Sequence, residues 1–182
     1  MANDLTKAPK QIILDMVNAK SGAGFTLATF TWAGLPEVEP TGQNTSLSLV
    51  AAAGSGYKNT RIIRYNRLHL GTDVGAAFVA SATGRDLVFS IGDATKIADL
   101  IPELNARLNI ALTGDDFTDG DLPTFAGTVN ETHPVQIVVK ADSLVYTGSI
   151  TLTLKADDVD LATAIPVAEM DGLTYAAPPV TP

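Results

Sequence analysis

The stretch that decides the fold is KQIILDMVNAK at residues 10–20, because a related stretch, IADLIPELNAR, stands at residues 97–107. Aligned at a spacing of 87 residues, the two copies continue without a gap from Lys10 to Pro36. Seven aligned pairs are identical, where chance would give about two at ordinary composition. They are Asn18/Asn105, Ala19/Ala106, Thr26/Thr113, Phe30/Phe117, Thr31/Thr118, Leu35/Leu122 and Pro36/Pro123. Self-similarity at a fixed spacing is the signature of a repeated structural unit, so the sequence predicts two copies of one module.

Each copy changes from a helical to a strand-like period along its length. Apolar residues first recur at helical spacing, which predicts one amphipathic helix per copy. These residues are Ile12, Ile13, Met16 and Val17, then Ile97, Leu100, Ile101, Leu104 and Leu108. Further on, apolar and polar residues alternate around Leu47 and Leu49 and again around Leu152 and Leu154, which predicts strands. Turn sequences at 58–60 and 147–149 join such runs and predict β-hairpins.

These patterns predict an α+β fold of two tandem repeated modules, each with one helix, an antiparallel β-hairpin and a further strand. The first module spans residues 8–92 and the second spans residues 93–176. The further strands are expected where the copies end alike, at Arg85–Phe89 and Met170–Tyr175. Outside the modules, residues 1–7 form an N-terminal arm and residues 177–182 a proline-rich C-terminal arm. Each hairpin is expected to pack its apolar face on its own helix.

The helix ends carry their own signals. Pro9 suits the first turn of the first helix, where its missing N–H is no loss. Asp93 is a candidate N-cap for the second helix. Pro102 lies inside the second helical pattern, so we expect it to kink the helix or to mark its true start.

The hairpin alignment also predicts which side chains of the first hairpin face the core. Side chains alternate between the two faces of a strand. Because Leu154 is expected inside, the aligned Tyr65 and its neighbour Ile63 should be buried, while Arg64 and Asn66 should face outward.

The composition excludes several classes of protein. The 182 residues include 12 Lys and Arg, 20 Asp and Glu and no Cys, and the formal net charge is −8. Without Cys there are no disulfides, thiolate zinc sites or Cys nucleophiles. No apolar stretch approaches the ~18 residues that cross a bilayer, so no membrane partner is expected. The acidic balance argues against nucleic acid as the main partner, because phosphate binding needs clustered cations.

Catalytic and metal-binding patterns are absent from the sequence. His69 and His133 fall in no ligand spacing, and no GxSxG motif is present. The loop TGDDFTDGDLP offers a candidate calcium site at Asp115, Asp116, Asp119 and Asp121. It departs from EF-hand spacing and lacks the closing Glu, so we expect an exposed turn without metal. The sequence therefore predicts a non-enzymatic protein that requires no cofactor.

The charge is divided unevenly, which points to a protein interface. Residues 8–92 carry a net charge of +2 and residues 93–182 a net charge of −10. Cations concentrate on the first hairpin, so we predict that it binds acidic surface on another protein or on the second module of a neighbouring copy. The candidate interface residues are Lys58, Arg61, Arg64, Asn66 and Arg67.

Two other binding functions remain open from the residues alone. A nucleic-acid-binding module would use the basic hairpin with Tyr57 and Tyr65 as stacking residues, although Tyr65 aligns with apolar Leu154 and suits the core better. A carbohydrate-binding module would use Trp32, although a single aromatic gives no stacking array.

A family resemblance adds a specific expectation. A helix ending in Asn, a short loop, Leu-Pro and an NTSLSL strand precede the stretch GSGYKNTRIIRYNRLHL. This order resembles virion structural proteins of large tailed bacteriophages, from about Ala8 to Leu70 and more faintly from Ala94 to Leu161. The second copy departs from it, with Leu154-Lys155-Ala156-Asp157 in place of the YNRL sequence, so any docking role of YNRL belongs to the first module.

The resemblance implies a structural role rather than a catalytic one. It suggests a capsid decoration protein, with a neck, collar or tail subunit as the alternative. The expected partners are the major capsid protein or tail and neck proteins, together with further copies in a homo-oligomer. The expected location is the virion, after assembly in the host cytoplasm.

Overall fold

The structure is a computed structural model that describes residues 4–126 and 131–156. The described part is a mixed α+β fold with three α-helices: α1 is Pro9–Ser21, α2 is Ala76–Ala80 and α3 is Ile97–Leu108. The predicted further strand at Met170–Tyr175 and the C-terminal arm lie outside the described residues, as do residues 1–3 of the N-terminal arm.

Eight strands form three sheets in this part of the chain. They are β1 (Phe30–Val38), β2 (Thr45–Ala51), β3 (Thr60–Tyr65), β4 (Leu68–His69), β5 (Val88–Ser90), β6 (Thr132–Val138), β7 (Tyr146–Thr147) and β8 (Ser149–Lys155). The sheets have the strand orders β1-β2-β3, β4-β7 and β5-β8-β6. The pairs β1–β2, β2–β3 and β6–β8 are antiparallel, whereas β4–β7 and β5–β8 are parallel.

Helices α1 and α3 lie where the sequence predicts them, but the predicted N-cap of α3 is wrong. Pro9 is the first residue of α1, as predicted. The N-cap prediction at Asp93 is wrong, because α3 begins at Ile97 and Lys96 precedes it. Asp99 takes the capping role from inside the helix, since its Oδ2 accepts the backbone N–H of Lys96 at 2.9 Å. Pro102 does not mark the start of α3; it lies within the helix.

The first hairpin has the predicted register. Thr45 pairs with Tyr65 and Leu47 with Ile63, so Leu47, Ile63 and Tyr65 share the inner face. Tyr65 is buried and Ile63 packs partly buried against the core, whereas Arg64 and Asn66 are exposed. This confirms the predicted inward and outward sides of β3.

The second hairpin differs from the expected tight turn. Strand β6 pairs with β8 from Thr132↔Lys155 to Val138↔Ser149, so the connection runs over residues 139–148. The predicted turn at 147–149 instead separates β7 from β8, at Gly148 with φ +72°. On β8 the residues Ile150, Leu152 and Leu154 are buried, as the alternation predicts.

One hydrophobic core joins both halves of the chain. A single cluster includes Ile13 from α1, Leu49 from β2, Leu104 from α3 and Leu152 from β8. The prediction that each hairpin packs only on its own helix is therefore wrong, because both hairpins bury their apolar faces in one shared core. Burial of this kind of apolar surface stabilises a fold by about 25 cal/mol per Å².

The end of each long helix is tied to the following chain by the same pair of hydrogen bonds. The Asn18 side chain donates to the Phe25 carbonyl at 2.9 Å and accepts the Phe25 N–H at 2.9 Å. Asn105, 87 residues later, donates to the Leu112 carbonyl at 2.8 Å and accepts the Leu112 N–H at 2.9 Å.

Two further contacts recur with a similar spacing. The Thr26 N–H donates to Thr29 Oγ1 at 3.0 Å, and the Thr113 N–H donates to Asp116 Oδ2 at 2.9 Å. In the connections of the hairpins, the Ala51 N–H donates to the Asn59 carbonyl at 3.0 Å. The corresponding bond joins the Val139 N–H to the Gly148 carbonyl at 2.9 Å, and Asn59 and Gly148 have φ angles of +71° and +72°.

Candidate protein interface

The basic residues of the first hairpin are presented by β3 and by the loop before it. Lys58 and Arg61 are exposed and lie near the tip of the hairpin. Arg64 is exposed on the outer face, and its Nε donates to Glu39 Oε1 at 3.2 Å. An exposed ion pair of this kind contributes only about 0–1 kcal/mol, so a partner's carboxylate can compete for Arg64. We call these three exposed cations the basic surface; Arg64 lies on the outer face of β3, whereas Arg61, three residues earlier, lies on the other face near the hairpin tip.

Asn66 continues this surface at the end of β3. It is exposed, and its Oδ1 accepts the backbone N–H of Asn44 at 2.8 Å. The bond fixes the Asn66 carbonyl oxygen and leaves its amide NH₂ group directed away from that contact. Asn66 therefore remains a candidate contact residue.

Arg67 does not belong to this surface, and its place in the predicted interface is corrected. Its side chain is buried, with 6% of the residue exposed. Nε donates to Thr45 Oγ1 at 2.9 Å, and Nη1 donates to the carbonyls of Ala141 and Ser143 at 2.9 and 3.0 Å. Burial lowers the pKa of Arg67. Arg67 follows Tyr65 by two residues, so the alternation that turns Ile63 and Tyr65 inward continues to Arg67, whose side chain also turns inward and joins the two halves of the chain.

An exposed aromatic residue lies beside the basic surface. Tyr57 is 58% exposed and packs edge-on against Phe25, with ring centroids 5.3 Å apart. Phe25 in turn contacts Phe30 at 5.1 Å. We call Tyr57, Phe25 and Phe30 the aromatic cluster. Ile62, on the outer face of β3, is also 52% exposed.

The residues at the corresponding positions of the second half are buried. They are Leu112, Phe117 and Tyr146, and their exposed fractions are 4%, 3% and 0%. In the aromatic cluster Phe25 and Phe30 are half-buried and only Tyr57 is exposed, so Tyr57 is the residue that differs most in exposure from its aligned counterpart. The sequence alignment of Tyr57 with Tyr146 contains this signal, but only tertiary structure reveals which copy is covered.

The strand edge next to this cluster is also open. In the described residues β3 ends the sheet order β1-β2-β3, whereas β8 lies between β5 and β6. An edge strand offers unpaired backbone N–H and C=O groups to another strand. The candidate site therefore combines a backbone edge, three cations and exposed apolar side chains.

The other aromatic candidates are placed in or near the core. Tyr65 is buried, and its hydroxyl donates to the Leu144 carbonyl at 2.7 Å. Burial raises the pKa of Tyr65 to about 12. Trp32 is partly buried against the core cluster. Tyr57 is thus the aromatic residue available for stacking among the three named from the sequence.

The acidic loop is not the uniformly exposed turn predicted from the sequence. Asp116 is 3% exposed, and it accepts bonds from Thr113 and from Ser143 Oγ, the latter at 2.7 Å to Oδ1. Asp119 Oδ1 accepts the Ala98 N–H at 2.9 Å, at the start of α3. Among the described residues, no group of three or more His, Cys, Asp or Glu side chains could hold a metal ion. The carboxylates of Asp116 and Asp119 serve the backbone and neighbouring hydroxyl groups.

The two histidines have local structural partners. His69 Nδ1 accepts the backbone N–H groups of Gly71 and Thr72, each at 3.2 Å. His133 Nε2 lies 2.8 Å from Glu131 Oε1, and its ring stands edge-on to Phe125. The imidazoles lie in different sheets, and the described structure does not bring them together.

Comparison with known proteins gives a family assignment. A model of a family of unknown function, DUF7941, matches residues 2–181. The chain belongs to the DUF7941 family. No curated protein and no solved structure matches it. None of the helices within residues 4–126 and 131–156 has the length and apolar character needed to span a membrane.

Proposed function

We propose that the chain is a tandem duplication of one helix-and-hairpin module. The support is the set of hydrogen bonds that recurs with a spacing of 87 to 89 residues, above all the paired bonds of Asn18 and Asn105. Side chains that make matched bonds at matched positions are the expected trace of one ancestral unit. The module order α1 to β3 and α3 to β8 follows the predicted division into two halves.

The proposed activity of this duplicated protein is structural and non-enzymatic. The chain builds part of a tailed-phage virion through protein contacts, and we place it on the head as a capsid decoration protein. The observation that carries this proposal is the first hairpin surface, where exposed Tyr57 and Ile62 stand beside Lys58, Arg61 and Arg64. Aromatic and Arg side chains together are typical of protein interfaces. The resemblance of the GSGYKNTRIIRYNRLHL stretch to virion proteins supports the location.

A second candidate is a ring subunit of the neck, collar or tail. The open edge of β3 favours it, because an edge that accepts a strand from another copy produces head-to-tail contacts, which close into rings at a suitable rotation. A carbohydrate- or nucleic-acid-binding module has less support, because Tyr65 is buried and Trp32 partly buried.

Imaging of virions of the phage that encodes this chain tests whether the chain lies on the head. We expect mass spectrometry of purified virions to find the chain, and image reconstruction to show its density repeated over the capsid lattice. Density in one axial ring would reject decoration and support the ring subunit. Absence of the chain from purified virions would reject the virion function altogether.

A further inference from the structure

Strand β3 directs half of its backbone groups away from the rest of its sheet. The Ala51 N–H donates to the Asn59 carbonyl at 3.0 Å, which shows that the odd-numbered residues of β3 bond to β2. Because hydrogen-bonded residues alternate along an antiparallel pair, the N–H and C=O groups of Thr60, Ile62 and Arg64 point outward. Within residues 4–126 and 131–156, no strand pairs with them on that side.

The other outer strands of the two three-stranded sheets carry features that discourage a further strand. Strand β1 has an irregular register between Ala33 and Glu37. The Arg107 guanidinium donates to the Val88 carbonyl of β5, and β6 contains Pro134, which has no N–H. Bulges and prolines are typical of edge strands that stay unpaired. Strand β3, with the sequence TRIIRY, contains neither Gly nor Pro and presents a regular row of backbone groups.

The counterpart of β3 in the second half already carries an added strand. At a spacing of 89 residues, Arg64 corresponds to Thr153 of β8. The Thr153 N–H donates to the Leu87 carbonyl at 2.9 Å, and β5 pairs in parallel with this outer side of β8. The corresponding edge in the second half is therefore compatible with strand addition.

The side chains of β3 define the chemistry of a strand that would fit beside it. Its central residues, 61–64, read Arg-Ile-Ile-Arg, and Ile62 is 52% exposed. Across neighbouring strands, apolar residues favour apolar residues and charges favour opposite charges. The fitting segment is therefore acidic, apolar, apolar and acidic. Because the Arg-Ile-Ile-Arg pattern reads the same in both directions, this order fits a parallel or an antiparallel strand.

The same cations argue against a second copy of β3 as the partner. If two β3 edges paired, Arg61 and Arg64 of both copies would lie along one seam, and like charges on neighbouring strands destabilise a sheet. An acidic segment reverses the sign of this interaction. Arg64 is accessible to it, because the ion pair with Glu39, at 3.2 Å, is exposed and contributes little. Charge thus selects an acidic partner.

We propose that the outer edge of β3 binds an extended acidic segment of another virion protein as an added strand. This inference rests on the proposed function through protein contacts and names the class of partner. The backbone groups of Thr60, Ile62 and Arg64 supply the affinity, as in other cases of strand addition. Carboxylates opposite Arg61 and Arg64, with apolar side chains between them, supply the specificity.

Synthetic peptides test this binding on the full-length protein. The probe is a fluorescently labelled peptide with capped ends and the sequence TEVVET, and the matched control is TKVVKT. We expect fluorescence anisotropy to show saturable binding of TEVVET. The control should bind at least about fivefold more weakly, because both charge pairs become repulsive. Added salt should reduce the difference.

Backbone methylation separates strand addition from charge attraction alone. Successive N–H groups of a strand point to opposite sides, so only one of the two valine N–H groups can face β3. We expect N-methylation of one valine to weaken binding at least about tenfold, and N-methylation of the other to have little effect. The two methylated peptides have the same charge and composition, so they control for each other.

A pair of protein variants tests the same edge from the other side. Ile62→Pro removes an outward N–H that β2 does not use, and it should weaken TEVVET binding at least about tenfold. Ile62→Thr keeps this N–H and should bind within about fivefold of the parent. Thermal unfolding establishes that both variants are folded. If Ile62→Pro does not fold, the methylated peptides decide the question.

Three results would overturn the inference. The first is no saturable binding of TEVVET at millimolar peptide concentration. The second is equal binding of TEVVET and TKVVKT, and the third is an equal effect of methylation at the two valines. These measurements use purified protein, so their failure leaves the location in the virion to imaging. Absence of the chain from virions would reject the location and leave the peptide result intact.

Discussion

At the scale of single residues, Arg67 connects the two halves of the chain through its hydrogen bonds. Its guanidinium donates to Thr45 Oγ1 and to the Ala141 and Ser143 carbonyls. We expect Arg67→Met to lower the free energy of unfolding by about 3 kcal/mol or more, because each buried acceptor left without a donor costs about 1–3 kcal/mol. Urea denaturation measures the change. Arg61→Met on the exposed side is the control and should stay within about 0.5 kcal/mol of the parent; equal losses would contradict the buried role.

Two tyrosines give the protein a defined alkaline transition. Burial raises the pKa of Tyr65 and of Tyr146 from 10.0 to about 12. Their neutral forms therefore stabilise the fold fully below pH 10, and this contribution is lost as the pH rises from 10 to 12. Ultraviolet titration should show a tyrosinate step near pH 12 that shrinks in Tyr65→Phe and again in Tyr65→Phe/Tyr146→Phe. A parent titration without this step would disprove the prediction.

At the scale of secondary-structure elements, Gly148 forms the turn between strands β7 and β8. Its φ is +72°, and a Cβ built there would overlap the His69 ring. Gly148→Ala should therefore cost more than the left-handed conformation alone, which is about 1–2 kcal/mol. Gly56→Ala is a matched control, since Gly56 has φ +81° and nothing within 4 Å of a Cβ. Thermal unfolding of both variants should show the larger decrease in Tm for Gly148→Ala; a larger decrease for Gly56→Ala would contradict the packing argument.

The elements that the sequence predicts are those with a local pattern. Helices α1 and α3 and the β2–β3 register follow from side-chain period, and Ile63, Arg64 and Tyr65 lie as predicted. The parallel pairs β4–β7 and β5–β8 could not be predicted in this way. They are two and three residues long, too short for a period, and their partners lie far along the chain. The predicted boundary at residues 92 and 93 consequently separates β5 from the strand with which it pairs.

The candidate site was predictable in its charge and not in its shape. Lys58, Arg61 and Arg64 are exposed; continuing the strand alternation from Tyr65 predicts that Arg67 turns inward, but not that it binds the Ala141 and Ser143 carbonyls. Nor does the sequence show that Tyr57 is exposed while Tyr146 is buried, because the burial of Tyr146 depends on the packing of β4 against β7. Local composition thus predicts the basic surface, and tertiary contacts decide which residues belong to it.

At the level of the whole molecule, a basic hairpin and an acidic second half make association dependent on salt and charge. The first half has a net charge of +2 and the second −10, and at physiological salt only charges within about 8 Å interact strongly. We expect Lys58→Asp to weaken association with an acidic partner surface by about 1.4-fold to fivefold, the range for an exposed ion pair of 0.2–1 kcal/mol. Sedimentation equilibrium over a salt series measures both effects, and added salt should weaken the parent. Lys20→Asp, on exposed α1, controls for net charge alone. If Lys58→Asp associates as tightly as the parent across the salt series, Lys58 does not lie at the interface, and the charge asymmetry acts elsewhere on the surface.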